Sequence, residues 1–172
     1  MEQQPADTAQ AESKFKQAYQ RMLERVRHHQ SAQVSLSSAI ELAQQEAVQS
    51  HELSAEEAQR VGHYLHRDLQ HAGGFLAKTG QALRDWLNFD LELVEDRLLD
   101  LWQHATDQAR VELGTLQEDD QLALTYHSGE IIGPGTLFCL SCGHELRFHR
   151  IERIPSCPRC HGNQFKRADS IT

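Results

Sequence analysis

Four cysteines confined to residues 139–160, a single proline ahead of residue 134, and apolar side chains recurring at three- and four-residue steps predict a mainly α chain with a small β module at its end. The expected division is a disordered N-terminus over 1–12, an acidic helical domain over 13–120, an extended connector over 121–135 and a cysteine module over 136–172.

The opening stretch is polar, with no basic start followed by an apolar run, so no signal peptide is expected. Phe15, Tyr19, Met22, Leu23 and Val26 then mark a first amphipathic helix. The polar stretch HHQSAQ interrupts or bends it, and a second helix runs through Ile40, Ala43, Ala47 and Val48. Ser54 and Glu57 form a capping-box pattern ahead of a third. After them a near-heptad seam passes through Ala58, Val61, Leu65, Leu69, Ala72, Leu76, Leu83 and Leu87. Gly73-Gly74 interrupts the seam, and each interior glycine costs about 1 kcal/mol relative to alanine. The apolar phase continues past the pair, which predicts a continuous helix. Leu91, Val94, Leu98, Leu101, Trp102 and Ala105 define a further helical stretch with acids on its opposite side, ending near Gly114 and QEDD. Each stripe needs a partner, so long antiparallel helices in a hairpin or bundle are expected. Coiled-coil self-association is the competing cover and would make a homo-oligomer through the helical seams.

The connector YHSGEIIGPGTLF contains Gly129, Gly133, Pro134 and Gly135, which exclude helix. Tyr126, His127, Ser128 and Glu130 are residue types found in active sites. Consecutive side chains of an extended strand point to alternating sides, so they do not assemble a triad alone, and the chain is expected not to be an enzyme. His63 and His66 are read as surface residues rather than as a metal site.

The cysteines form C-x2-C-x14-C-x2-C. A two-residue spacer lets two thiolates of one turn face a single centre, and two such turns supply a tetrahedral set: Cys139, Cys142, Cys157 and Cys160. Zinc is the expected ion, one per chain; iron is the weaker alternative, and disulfides or a redox pair are weaker still in a cytoplasmic chain that keeps its thiols reduced. Four thiolates leave no open position, so the role is structural, and a segment this short needs such a staple. Leu146 and Phe148 alternate with Glu145, Arg147 and His149, a strand pattern, so the module reads as an antiparallel zinc ribbon. His144, His149 and His161 are not expected as ligands. Gly143 follows the first knuckle where a left-handed backbone suits; His161 takes that place at the second, which predicts a different turn.

No apolar run reaches membrane-spanning length, so no membrane partner is expected, and the location is cytoplasmic. Net charge is −8, divided as −11 over residues 1–135 and +3 from Thr136 onward. Such an acidic body opposes DNA contact by the helices. The basic tip offers Arg147, Arg150, Arg153, Lys166 and Arg167 as candidate nucleic-acid contacts, with Phe148 or Phe165 available for stacking. The favoured role is nonetheless a non-catalytic adaptor for an unidentified protein partner, with nucleic-acid association as the alternative.

YHSGEIIGPGTLFCLSC, CPRCHGNQFKR and an acidic helical region containing HRDL and LWQ make the chain resemble the YbeL-like bacterial zinc-ribbon-containing proteins. The resemblance covers most of the chain. It implies a cytoplasmic bacterial protein with an N-terminal helical region and a C-terminal zinc ribbon, and it carries no established activity.

Overall fold

The computed structural model describes residues 5–29, 34–79, 83–87, 89–113 and 125–167. Five α-helices come first: α1 (Pro5–His29), α2 (Leu36–Gln49), α3 (Ala55–Thr79), the short α4 (Leu83–Leu87) and α5 (Asp96–Leu113). α1 starts inside the stretch expected to be unstructured. Pro5 stands at its first position, where a fixed φ and a missing N–H suit a helix start, and the alanine- and glutamine-rich residues after it propagate the helix. The last stretch begins later than its apolar spacing suggested. Leu91–Leu93 form a 3-10 turn capped by Asp90, whose carboxylate accepts from the Glu92 N–H at 3.2 Å, and Val94 is extended. The expected helix end at Gly114 and QEDD, and most of the HHQSAQ interruption, lie outside the described residues.

The capping box forms reciprocally: the Ser54 N–H donates to Glu57 Oε2 at 2.9 Å, and the Glu57 N–H donates to Ser54 Oγ at 3.2 Å. α3 is continuous through Gly73-Gly74. A Cβ on Gly73 would lie 2.6 Å from Ala109 Cβ and 2.8 Å from the Ala109 carbonyl carbon, so the missing side chain lets α3 sit directly on α5. Every pair among α1, α2, α3 and α5 is in contact, a four-helix cluster with Tyr19, Met22, Leu65, Leu69 and Trp102 fully buried inside it. The apolar residues of the seam from Ala58 to Leu87 are buried within the chain.

Beyond the helices lie β1 (Tyr126–His127), β2 (Ile131–Ile132), β3 (Gly135–Cys139), β4 (Glu145–Phe148), β5 (Glu152–Arg153) and β6 (Gln164–Arg167). They make one antiparallel sheet in the order β1-β6-β3-β4 and a separate β2–β5 pair. The fold is thus mainly helical with a small C-terminal sheet region that carries the cysteines. Side chains alternate between faces of a strand. In the four-stranded sheet Leu137, Phe148 and Phe165 turn inward to a core of their own, while Phe138, Glu145, Arg147 and Lys166 occupy the outer face. The same alternation makes β2 a bridge. Ile131 packs in the helical core and its neighbour Ile132 in the sheet core, with Ile151 joining Ile131 among the helices.

Candidate metal centre

Cys139 ends β3 and opens the first knuckle; Cys157 and Cys160 form the second, just before β6. In each knuckle an N–H after the second cysteine closes back on the carbonyl of the first: Gly143 on Cys139 at 2.9 Å and His161 on Cys157 at 2.8 Å. Gly143 has φ 73° and His161 has φ 61°, so the two turns share one left-handed conformation, contrary to the expectation drawn from the histidine. Histidine is among the residues that enter this region more readily than most.

The four sulfurs lie within 4.8 Å of one another, with Cys139 and Cys160 3.5 Å apart and Cys142 and Cys157 3.6 Å apart. A tetrahedral ion with metal–sulfur bonds of about 2.3 Å spaces its sulfurs by about 3.8 Å, so the donor set fits one ion with little adjustment. Burial works against the Cys139 thiolate, but N–H groups of Cys142 and Ser141 and the thiols of Cys160 and Cys142 outweigh it and bring the group down to about 6. Cys157 is lowered in the same way, against its burial, by the N–H groups of Cys160 and Arg159. At Cys160 the Gly162 N–H favours the thiolate, yet the crowding thiols of Cys142 and Cys139 push it up to about 12. The scaffold favours anionic sulfur, and the sulfurs oppose one another as anions. A divalent cation held at their centre would resolve that conflict. Such a sphere is closed, with no position for water or substrate. Among the described residues these cysteines are the one metal-ligating cluster; His144, His149 and His161 are not part of it, and neither are His63 and His66.

A second constellation, which the sequence reasoning missed, joins this sheet to the helices. Asp68 of α3 is 0% exposed, and its Oδ2 accepts from Tyr19 Oη at 2.6 Å and from the Gly133 N–H at 3.0 Å. Its Oδ1 is ion-paired with Arg167 Nη2 at 3.2 Å and lies 3.6 Å from Arg67 Nε. Arg67 also pairs with Glu130. Tyr126 lies between the guanidiniums, 4.0 Å from Arg67 and 5.1 Å from Arg167 to the ring centroid, and its hydroxyl accepts from Arg167 Nε at 3.1 Å. Arg167 also stacks on Trp86 at 4.4 Å. Two cations and two anions balance, as buried charge requires. Burial, with Arg167 and Arg67 adding to it, pushes His71 down to about 3, so it sits beside Trp86 and Tyr126 as a neutral ring. Burial pushes Tyr126 up to about 12.

One candidate nucleic-acid contact is thereby removed. Arg167 is 1% exposed and committed to Asp68, because the β6 register turns it inward beside Leu137. Phe148 and Phe165 are buried too and offer no stacking surface. Arg147, Arg150 and Arg153 are exposed and Lys166 is half-buried; Glu145 pairs with Arg147 and Glu152 with Arg150 at 2.6 Å. Of the connector residues, Ser128 Oγ donates to the Pro155 carbonyl at 3.1 Å, Glu130 is held by Arg67, and His127 Nδ1 lies 3.5 Å from Glu130 Oε1. No helix among the described residues is long and apolar enough to cross a membrane.

The outer surface of the first knuckle presents Leu140, 48% exposed, beside the half-buried Phe138. No solved structure matches the chain. The chain is 27% identical over 137 residues to an uncharacterised Escherichia coli K12 protein, YbeL, covering 77% of this chain and 81% of the relative, and it shows the same match to the proteins of that name in strains O6:H1 and O157:H7. A family model described as a zinc-ribbon containing domain matches residues 9–169, helices and sheet together, and the chain belongs to that family.

Proposed function

We propose that this protein is a cytoplasmic, non-catalytic adaptor in which one structural zinc ion, held by Cys139, Cys142, Cys157 and Cys160, stiffens a ribbon that docks on a protein partner. The observation that carries this reading is Leu140, a large apolar side chain 48% exposed on the first knuckle, while Leu137, Phe148 and Phe165 of the neighbouring strands are buried. Apolar surface rimmed by polar residues marks protein–protein interaction sites, and Leu140 with the half-buried Phe138 two residues before it offers such a surface. A closed thiolate set supports a structural ion, and the donor chemistry and family both favour zinc over iron. The titratable cluster around Asp68 is packed shut, and the open grooves on the helical surface, lined by Glu24, Arg27, His28 and Arg97 or by Arg21, Arg25 and Glu46, share no residue with it. Nucleic-acid association through Arg147, Arg150, Arg153 and Lys166 is the second reading, favoured by the placement of Arg147 and Lys166 with Phe138 on one sheet face.

The test is affinity capture of the intact protein from native lysate with and without nuclease, beside Leu140→Asp, after metal content and melting temperature show both proteins equally folded. A nuclease-resistant partner lost with Leu140→Asp is the expected outcome. Recovery that collapses on nuclease treatment transfers the reading to nucleic acid, and a partner unaffected by Leu140→Asp removes the knuckle as the docking point.

A further inference from the structure

The Asp68 cluster and the cysteine cluster are built on the same two strands. β3 begins at Gly135, beside the buried arginine, and ends at Cys139; β6 begins just after the second knuckle and ends at Arg167. The strands are paired directly, Cys139 opposite Phe165 and Leu137 opposite Arg167. One end of this ladder holds the sulfurs, and the other holds the cation that neutralises Asp68. The Leu140 N–H also donates to the Gln164 carbonyl at 2.9 Å, tying the first knuckle to the start of β6. Nearer the helices, the Thr136 hydroxyl donates to the Leu87 carbonyl at 2.7 Å and Arg167 Nη1 to the Pro134 carbonyl at 3.3 Å.

We infer that metal binding at the four cysteines and closure of the Asp68 ion cluster are energetically coupled, so that α3 helps to set the ribbon's metal affinity and loss of the metal undocks the ribbon from the helices. The physical reason runs in both directions. A ribbon of this size does not fold without its ion, and an unfolded β6 cannot hold Arg167 against Asp68. Asp68 would then keep Tyr19 and the neighbouring Arg67 but lose the guanidinium of Arg167 and the N–H of Gly133, leaving a buried carboxylate without its nearer counter-charge. Conversely, weakening the Asp68 site lowers the population of the docked ribbon in which the four sulfurs are preset, and linkage requires the metal to bind more weakly by the same factor. Asp68 is therefore a positioning residue for a metal centre it does not touch. The coupling holds whichever partner the ribbon docks on.

Both tryptophans of the chain stand at this joint and supply the readout. Trp86 stacks on Arg167, and Gly133 backs onto Trp102 so closely that a Cβ there would come within 2.5 Å of the indole. The full-length zinc protein is titrated with a chromogenic chelator while zinc transfer, tryptophan emission and far-ultraviolet ellipticity are followed together. Emission is expected to shift to the red and become accessible to acrylamide in step with zinc loss, and zinc added back should reverse it. In Asp68→Asn, and to a smaller degree in Tyr19→Phe, the zinc dissociation constant is expected to rise by roughly 5- to 150-fold, the ordinary range of coupling between sites. Tyr19→Phe keeps the carboxylate and gives a measurable variant should Asp68→Asn not fold. Zinc transfer with unchanged tryptophan emission in the wild-type protein would overturn the inference, as would an unchanged zinc affinity in folded Asp68→Asn or Tyr19→Phe. Absence of any transferable metal would overturn it together with the structural-zinc reading.

Discussion

Arg147 and Arg167 carry the same side chain and oppose Thr136 and Leu137, successive residues of β3, yet they have opposite energetic weight. Arg147 lies on the outer face and pairs with Glu145 in water, where such pairs contribute at most about 1 kcal/mol. Arg167 lies on the inner face against a carboxylate with no access to solvent. Removing one member of a buried pair costs about 3–5 kcal/mol because the other is left uncompensated. Arg167→Ala is therefore expected to lower the unfolding free energy by about that amount, and Arg147→Ala to change it by no more than about 0.5 kcal/mol. Urea midpoints at constant slope measure both; equal effects would show that Asp68 does not depend on Arg167. Charge counting could not separate the two residues, since formal charge carries no record of the face a strand turns inward. The signal that was readable lies on α3. Asp68 stands three residues after Leu65 and four before Ala72, on the buried stripe of the seam, where a carboxylate requires a partner from elsewhere in the fold.

Among the elements, those set by local chemistry were the legible ones. The capping box at Ser54 and the alternation in β4 appear where short-range pattern places them. The knuckles were readable as ligand sets for the same reason: the C-x2-C spacing fixes two sulfurs on one turn, and the match of the two turns needed only that His161 accept a positive φ. Gly73 was legible as a residue but not in its purpose. Isolated helix propensity counts it as a loss of about 1 kcal/mol, which Gly73→Ala should recover. Tertiary contact opposes that gain, because the new methyl would sit 2.6 Å from Ala109 Cβ and 2.8 Å from the α5 backbone, which cannot swing away as a flexible side chain does. Overpacking of this kind costs about 1–3 kcal/mol. The contact wins, and Gly73→Ala is expected to be destabilised by up to about 2 kcal/mol in urea unfolding. A stabilised variant would mean that α3 and α5 sit farther apart than 2.6 Å implies.

At the scale of the whole molecule, residue pattern divides the chain into an acidic helical body and a basic tip, and nothing in local sequence says how firmly they are joined. The structure makes the joint part of both cores. Ile131 and Ile132 are neighbours on one short strand, and each is buried in a different core, so neither core can be solvated without moving the strand that completes the other. Ile151 enters the helical core from the sheet side, and Asp68 takes its counter-charge from β6. Such contacts join residues far apart in sequence, which is why periodicity and spacing could not report them. They also determine how the protein unfolds. Two independently stable domains would melt separately, with helical ellipticity outlasting tryptophan burial at the joint or the reverse. A shared core and a shared ion cluster instead couple the steps. The metal-loaded chain is expected to show a single calorimetric transition, with ellipticity at 222 nm and tryptophan emission changing at the same temperature. Two resolved transitions, or helices that persist after the tryptophans are exposed, would mean that β2 and Arg167 contribute too little to bind the two parts into one cooperative unit.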